Sequence, residues 1–196
     1  MSDAVVGPDG LARCPWGLST PEYVAYHDAE WGRTVRGDDA LYERLTLEAF
    51  QSGLSWIVVL RKREGFRAAF ANFSIPAVAA FGDDDVARML ADPGIVRNRM
   101  KIDAALRNAR AAAELGEGGL DALLWSYAPE PGGRTRPAET GLVPSFSDES
   151  KALAKDLKKR GFTFVGPTTL YALMQAVGMV DDHLAGCHVD LARAPA

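Results

Sequence analysis

The sequence predicts an all-α fold, on three observations. Apolar residues recur three or four positions apart, as in Ile102, Ala105, Leu106 and Ala109, the spacing that lines one face of a helix. Helix-starting residues and helix-ending glycines punctuate these runs, as at Ser147 and Gly161. Clear apolar–polar alternation, the mark of a half-buried strand, is nearly absent.

Residues 1–12, rich in Gly, Asp and Pro, read as a disordered tail with little to pack. Pro21 suits the first turn of a helix continuing through Tyr23, Val24, Tyr26 and His27. Asp38 or Asp39 can cap the next helix, whose Leu41, Leu45 and Glu48 share one side, and Gly53 can stop it. Ser55 then caps an apolar turn, Trp56 to Leu60. Short helical pieces follow around Phe66 and Phe70 and from Pro76 to Phe81. Asp83, Asp84 and Asp85 open another, where negative charge meets the positive end of the helix dipole.

That helix stops before Pro93-Gly94, and a long Ala-rich helix starts near Asn98 and ends by Gly116. Leu120 to Tyr127 is one more helix. Pro129 to Pro144, with four prolines and three glycines, reads as a long loop or inter-lobe connection, and its length hints at function. Asp148 and Glu149 start the next helix and Lys158, Lys159 and Arg160 finish it. Phe162, Phe164 and Val165 fit a short strand or a packed turn. Pro167 opens the last helix, stopped at Gly178.

With 196 residues, 47% of them hydrophobic, the chain can fill one good core but not several. One helical domain over residues 13–190 is expected, in one lobe or in two with a pocket between them, followed by a tail over 191–196. The net charge of -4 gives no global basic field, although nucleic-acid binding depends on the local one. The start lacks a basic segment followed by an apolar one, and the strongest apolar run closes at Arg61, Lys62 and Arg63. A cytoplasmic protein without membrane association is expected. In that reducing compartment Cys14 and Cys187 are not expected to form a disulfide. Nothing signals oligomerisation, so a monomer is expected.

Three groups of residues could carry chemistry. Cys14 and His27 lie near one end and His183 and Cys187 near the other. The last two are four apart, so a helix would put both on one side. Together the four make a Cys₂His₂ set of the kind that binds zinc, and such a clamp would tie the ends together. They equally fit two buried cysteines and two surface histidines, because the halves do not form a compact finger signature. His188 is a spare ligand should that last turn not be helical.

The second group is aromatic and acidic: Trp16, Tyr23, Tyr26, Trp31 and Trp56, with Glu48 among them. Aromatic faces stack on planar ligands and attract cationic ones, and a pocket carboxylate accepts hydrogen bonds from a base amino group or steadies positive charge on a sugar. A helical core with aromatic residues at its rim explains the same pattern. The third is the turn around Gly94, followed by Arg97, Arg99 and Lys101. Free N–H groups at the next helix start and these cations suit DNA phosphates, and also suit an ordinary corner with a solvated basic face. No phosphate-cradling glycine loop is present, which weighs against nucleotide cofactors.

Several stretches together resemble a known family: RCPW at 13–16, YVAYHDAEWG at 23–32, LEAFQSGLSWIVVLRKRE at 47–64, DPGIVRNRMKIDAALRNA at 92–109 and KRGFTFVGPTTLYALMQAVGMVDDH at 159–183. They are similar, in order and over nearly the whole chain, to DNA-3-methyladenine glycosylase I, a divergent helix-hairpin-helix base-excision family. The resemblance implies a structural zinc held by Cys14, His27, His183 and Cys187, with no organic cofactor. It implies base recognition by Glu48, stacking on Trp56, and a pocket completed by Tyr23, Tyr26 and Trp31. Leu54 resembles a residue inserted at the abasic gap, and the Gly94 turn resembles a hairpin gripping the DNA backbone, where Arg97 and Lys101 are the expected contacts.

The implied reaction is hydrolysis of the N-glycosidic bond of 3-methyladenine in alkylated double-stranded DNA, leaving free base and an abasic site. Glu48 and Tyr26 are the expected catalytic residues. No lysine stands out as an amine nucleophile, so a monofunctional enzyme without strand cleavage is expected. A non-enzymatic DNA-binding module, a glycosylase for another damaged base and a zinc-stabilised helical protein are the alternatives.

Overall fold

The Thr20 hydroxyl accepts the Tyr23 N–H at 3.2 Å and Pro21 occupies the first turn, so helix α1 runs Pro21–Ala29. A computed structural model describes residues 2–130 and 134–191. Within them α1 is followed by α2 (Asp38–Gln51), α3 (Trp56–Arg61), α4 (Arg63–Ala69), α5 (Ile75–Ala79), α6 (Asp83–Ala91), α7 (Arg99–Ala113), α8 (Gly119–Trp125), α9 (Asp148–Lys159) and α10 (Pro167–Ala176). This is the all-α architecture expected. Among the described residues no helix is long and apolar enough to cross a membrane.

α2 is the central element. Its Leu41, Tyr42, Leu45, Leu47 and Phe50 are completely buried, and it packs against α7, α8 and α10. Burying each such side chain contributes about 1.5–3 kcal/mol, which holds α2 in place although its sequence is not strongly one-sided. Gly53, with φ of 77°, turns the chain sharply after α2 so that α3 can begin at once. Gly178, also at φ 77°, ends α10, and a Cβ there would meet the Gly32 carbonyl oxygen at 2.6 Å. A second, smaller apolar cluster gathers Cys14, Leu184, Cys187 and Val189, with Trp16 and Trp31 against it.

Two expectations are corrected and two alternatives left open by the sequence are decided. The segment expected to be a disordered tail contains a short antiparallel ribbon, β1 (Val5–Val6) on β2 (Ala12–Arg13). It is fastened where composition gives no hint: Asp9 chelates the Arg13 guanidinium at 2.7 and 2.9 Å. Asp38 does not cap α2, which starts after Gly37; its carboxylate instead accepts the N–H groups of Gly118 and Asp121, both at 2.8 Å, at the start of α8. Residues 162–165 form a packed turn rather than a strand, because the Asn108 amide satisfies both the N–H and the carbonyl of Thr163, at 2.8 and 3.0 Å. The chain after α10 is not helical around His183 and Cys187. Of the tail expected over 191–196 all but Leu191 lies outside the described residues, as do residues 131–133 of the long connection.

Candidate active site and metal centre

The aromatic residues of the first third and Glu48 come together around one cavity of about 420 Å³. α1 supplies Tyr23 and Tyr26, α2 supplies Glu48 and Gln51, and α3 supplies Trp56 from its first turn. Trp31 and Trp16 complete the wall beside the smaller apolar cluster. The rings support one another: Trp16 meets Tyr23 at 5.6 Å and Trp31 at 5.1 Å edge-on, and Tyr26 lies tilted 5.4 Å from Trp56. The Tyr23 hydroxyl accepts the Ile57 N–H at 2.9 Å and so fixes the start of α3. The Tyr26 hydroxyl and the Glu48 carboxylate have no hydrogen-bond partner among the described residues, while both residues line the cavity.

Glu48 is only 6% exposed. Burial pushes its carboxyl up to about 8, with nearby Arg44 pulling the other way. Arg44 is turned toward Glu30, at 3.1 Å, and Glu30 also holds Arg63 in a two-pronged bond at 2.6 and 2.9 Å. Arg44 is thereby held through one nitrogen, while its Nη1 is buried without a hydrogen-bond partner among the described residues. Burial, followed by the Glu48 charge, also raises the Tyr26 phenol, which stays protonated. The cavity therefore presents a protonated carboxyl, a phenol and aromatic faces: a surface with hydrogen-bonding capacity and a latent negative charge.

Cys14, His27, His183 and Cys187, all buried, bring one ligand atom each to within 4.8 Å of one another. Cys187 Sγ lies 3.6 Å from His27 Nε2 and 3.5 Å from His183 Nδ1, and Cys14 Sγ lies 3.9 Å from His183 Nδ1. Four ligands placed tetrahedrally around a zinc ion at its usual bond lengths are about 3.5 Å apart, so this set fits that ion. The second hydrogen bond of each ring fixes which nitrogen faces the cluster. His27 Nδ1 pairs with Asp28 at 2.8 Å and His183 Nε2 donates to the Trp31 carbonyl at 3.2 Å. His188 stands outside, 3.2 Å from Asp28. The four ligands converge without the helix that the spacing of His183 and Cys187 suggested: a tight turn closed by Cys187 N–H on the Leu184 carbonyl, at 2.8 Å, brings them together.

The hairpin between α6 and α7 is closed by the Gly94 N–H donating to Asp92 at 2.7 Å, and Asn98 caps α7 by accepting the Lys101 N–H at 3.2 Å. Gly94 packs so closely on Gly65 of α4 that a Cβ at Gly65 would overlap its carbonyl. Leu54, on the turn after Gly53, is 39% exposed. Arg97 is exposed and forms no ion pair among the described residues. Arg99 is engaged by Asp103 at 3.0 Å. Lys101 departs from expectation: it is buried, and its Nζ donates to the carbonyls of Phe50 and Ser52 at 2.8 and 2.6 Å. A cation so held braces the Leu54 turn and is not available to a phosphate.

Sequence reasoning missed the far wall of the cavity, where Gln175, Asp182, Thr140 and Val143 contribute. The first two lie inside the matched 159–183 stretch, so position marked them, but no motif logic did. Thr140 and Val143 belong to the long connection whose length was the only hint.

A family model described as methyladenine glycosylase matches residues 16–190. The chain is 44% identical over 179 residues to DNA-3-methyladenine glycosylase 1 of Escherichia coli (strain K12), covering 90% of this chain and 96% of that one. It is 41% identical to a DNA-3-methyladenine glycosylase of Haemophilus influenzae, covering 89% and 96% of the two chains. The crystal structure of a 3-methyladenine DNA glycosylase I superimposes with a TM-score of 0.85 at 45% identity, over 90% of this chain and 98% of that one. On this sequence match and this shared fold, the chain belongs to the DNA-3-methyladenine glycosylase I family, helix-hairpin-helix glycosylases of base excision repair.

Proposed function

We propose that this protein hydrolyses the N-glycosidic bond of 3-methyladenine in alkylated double-stranded DNA, with Glu48 and Trp56 as the residues that select and hold the extruded base. The observation that carries this reading is the joint placement of a buried, unpartnered carboxyl and a face of aromatic rings in one cavity of about 420 Å³. A purine must leave the stack to be cut from its sugar. A 3-methylated adenine in DNA carries positive charge, and its departure neutralises the ring, so the enzyme gains little by protonating it. Its task is to bind the cation better than neutral bases and to steady the sugar as it becomes oxocarbenium-like.

Trp56 stacks on the base, and its electron-rich face favours the charged ring. Glu48 meets the adenine polar edge. Protonated in the empty pocket, it gives up its proton as the cationic base enters, so the charge appears where the ligand needs it. Tyr26 positions the base or the attacking water. No lysine is among the described residues that line the cavity, which supports hydrolysis without an amine nucleophile or strand cleavage. Leu54 fills the gap left in the duplex, and the Gly94 hairpin with Arg97 holds the backbone.

The Cys14, His27, His183 and Cys187 set holds a zinc ion, which is structural and ties the chain's two ends beside the pocket wall. The cavity is lined from both apolar clusters, which supports residues 13–190 as a single domain of two unequal lobes; we propose that it acts as a cytoplasmic monomer. The deciding experiment incubates the purified protein with methylated duplex DNA and separates the released bases. Free 3-methyladenine should appear with wild type and fall roughly 100-fold with Glu48→Gln; no release by wild type sinks the reading.

A further inference from the structure

Gln175 sits in the last turn of α10 and lines the same cavity as Glu48. Its Nε2 donates to Asp182 Oδ2 at 2.9 Å. The same Asp182 oxygen accepts the Tyr171 hydroxyl at 2.5 Å, and the other lies 3.5 Å from Arg134. Asp182 is 4% exposed and Tyr171 1%, so this bracket is rigid. A carboxylate paired with an arginine and receiving a phenol only accepts hydrogen bonds. The amide of Gln175 must therefore turn its nitrogen to Asp182, and its Oε1 is left with no partner among the described residues. The result is a carbonyl acceptor of fixed direction in a cavity built for a planar ring.

We infer that Gln175 is a specificity-determining residue that accepts a hydrogen bond from the exocyclic amino group of a 6-aminopurine, and that Asp182 is the positioning residue that keeps its amide from turning over. A purine with a carbonyl at that place sets acceptor against acceptor and leaves both unpaired, which is strongly disfavoured in a desolvated pocket. Glu48, ionised once the cationic base is bound, also accepts hydrogen bonds; Gln175 adds a second, uncharged acceptor whose direction Asp182 fixes. The inference rests on the reading of this cavity as the base pocket.

The test uses two free bases, 3-methyladenine with an amino group at position six and 3-methylhypoxanthine with a carbonyl there, as competitive inhibitors of base release from methylated duplex DNA. Wild type should prefer the amino base by roughly tenfold or more. Gln175→Leu should narrow the gap between the two inhibition constants several-fold. Asp182→Asn should do so partly, because asparagine can also donate and lets the amide invert. Gln175 is partly buried but lies outside the apolar core, so its replacement leaves the core intact, and it decides the matter should Asp182→Asn fail to fold. A selectivity ratio in Gln175→Leu equal to that of wild type overturns the inference. Absence of any 3-methyladenine release by wild type overturns the glycosylase reading instead, so the two failures are distinct.

Discussion

The Nζ of Lys101, near the start of α7, lies 2.8 Å from the carbonyl oxygen of Phe50, in the last turn of α2. This contact, with its partner on Ser52, joins the hairpin to the turn that carries Leu54. Lys62 adds a second brace, donating to the Pro93 carbonyl at 2.5 Å. The hairpin and the Leu54 turn therefore move as one piece. Lys101→Met should cost about 1–3 kcal/mol of stability and weaken DNA binding without changing how steeply binding falls with salt. Arg97→Ala should leave the melting temperature alone and reduce the slope of log affinity against log salt by about one. Thermal melts and a salt titration distinguish the two; a changed slope for Lys101→Met would show that its cation reaches the phosphates after all.

Glu48 makes the fold sensitive to pH in a defined direction. Its carboxyl is raised in the folded protein to about 8 from an ordinary value of 4.5. Between those values the unfolded chain releases a proton that the folded one keeps. The cost to the folded state therefore accrues as pH rises through this window and is complete above about 8. Glu48→Gln, which carries no charge, should be more stable than wild type by an amount that grows across the window, to a few kcal/mol at its top. Calorimetric melts at closely spaced pH values read this directly, and a constant difference would mean that Glu48 ionises freely. By the same linkage, binding a cationic base near neutral pH should release a proton, visible as a buffer-dependent heat.

Trp56 should act on binding more than on chemistry. Trp56→Ala removes the stacking face, worth about 1–3 kcal/mol for a base on an aromatic ring, so KM for methylated DNA should rise by roughly ten- to a hundredfold while single-turnover cleavage at saturation falls less. Equal losses in both would assign the ring to the transition state instead.

Metal content and stability should fall together. Elemental analysis should find about one zinc per chain. Prolonged chelation should lower the melting temperature and loosen the ring packing around Trp31, which stands 4.6 Å from the His183 ring and should report through its fluorescence. Asp28→Asn, which weakens the partner of His27 Nδ1, should speed zinc loss roughly tenfold. Metal-free protein with an unchanged melt would remove the clamp.

The helices were readable because their boundaries are local: Pro21, Gly53, Asn98 and Gly161 act on neighbours a few positions away. Asp38 was misread because its partners, Gly118 and Asp121, lie some eighty positions along the chain. Lys101 was misread for the same reason. Its charge suggested solvent and phosphate, whereas the carbonyls of Phe50 and Ser52 reach it only through tertiary packing. Glu48 and Trp56 entered through resemblance to a family, since their spacing alone fits an ordinary core edge. The raised carboxyl of Glu48 could not be read at all, because burial is a property of the fold. Gln175 stayed unmarked for want of Asp182, whose orientation gives it meaning.

The first residues of the chain do more than decorate the surface. Ser2 Oγ receives the Gly186 N–H at 3.1 Å, next to a metal-cluster cysteine. Asp3 exchanges backbone and carboxylate bonds, both at 3.0 Å, with Ala138 and with Thr140, which forms part of the cavity wall. A purification handle fused directly ahead of Ser2, or a protease that trims a few amino acids there, would thus be felt at the damaged-base pocket. Preparations that differ only in how their leading end is processed are expected to differ in substrate affinity.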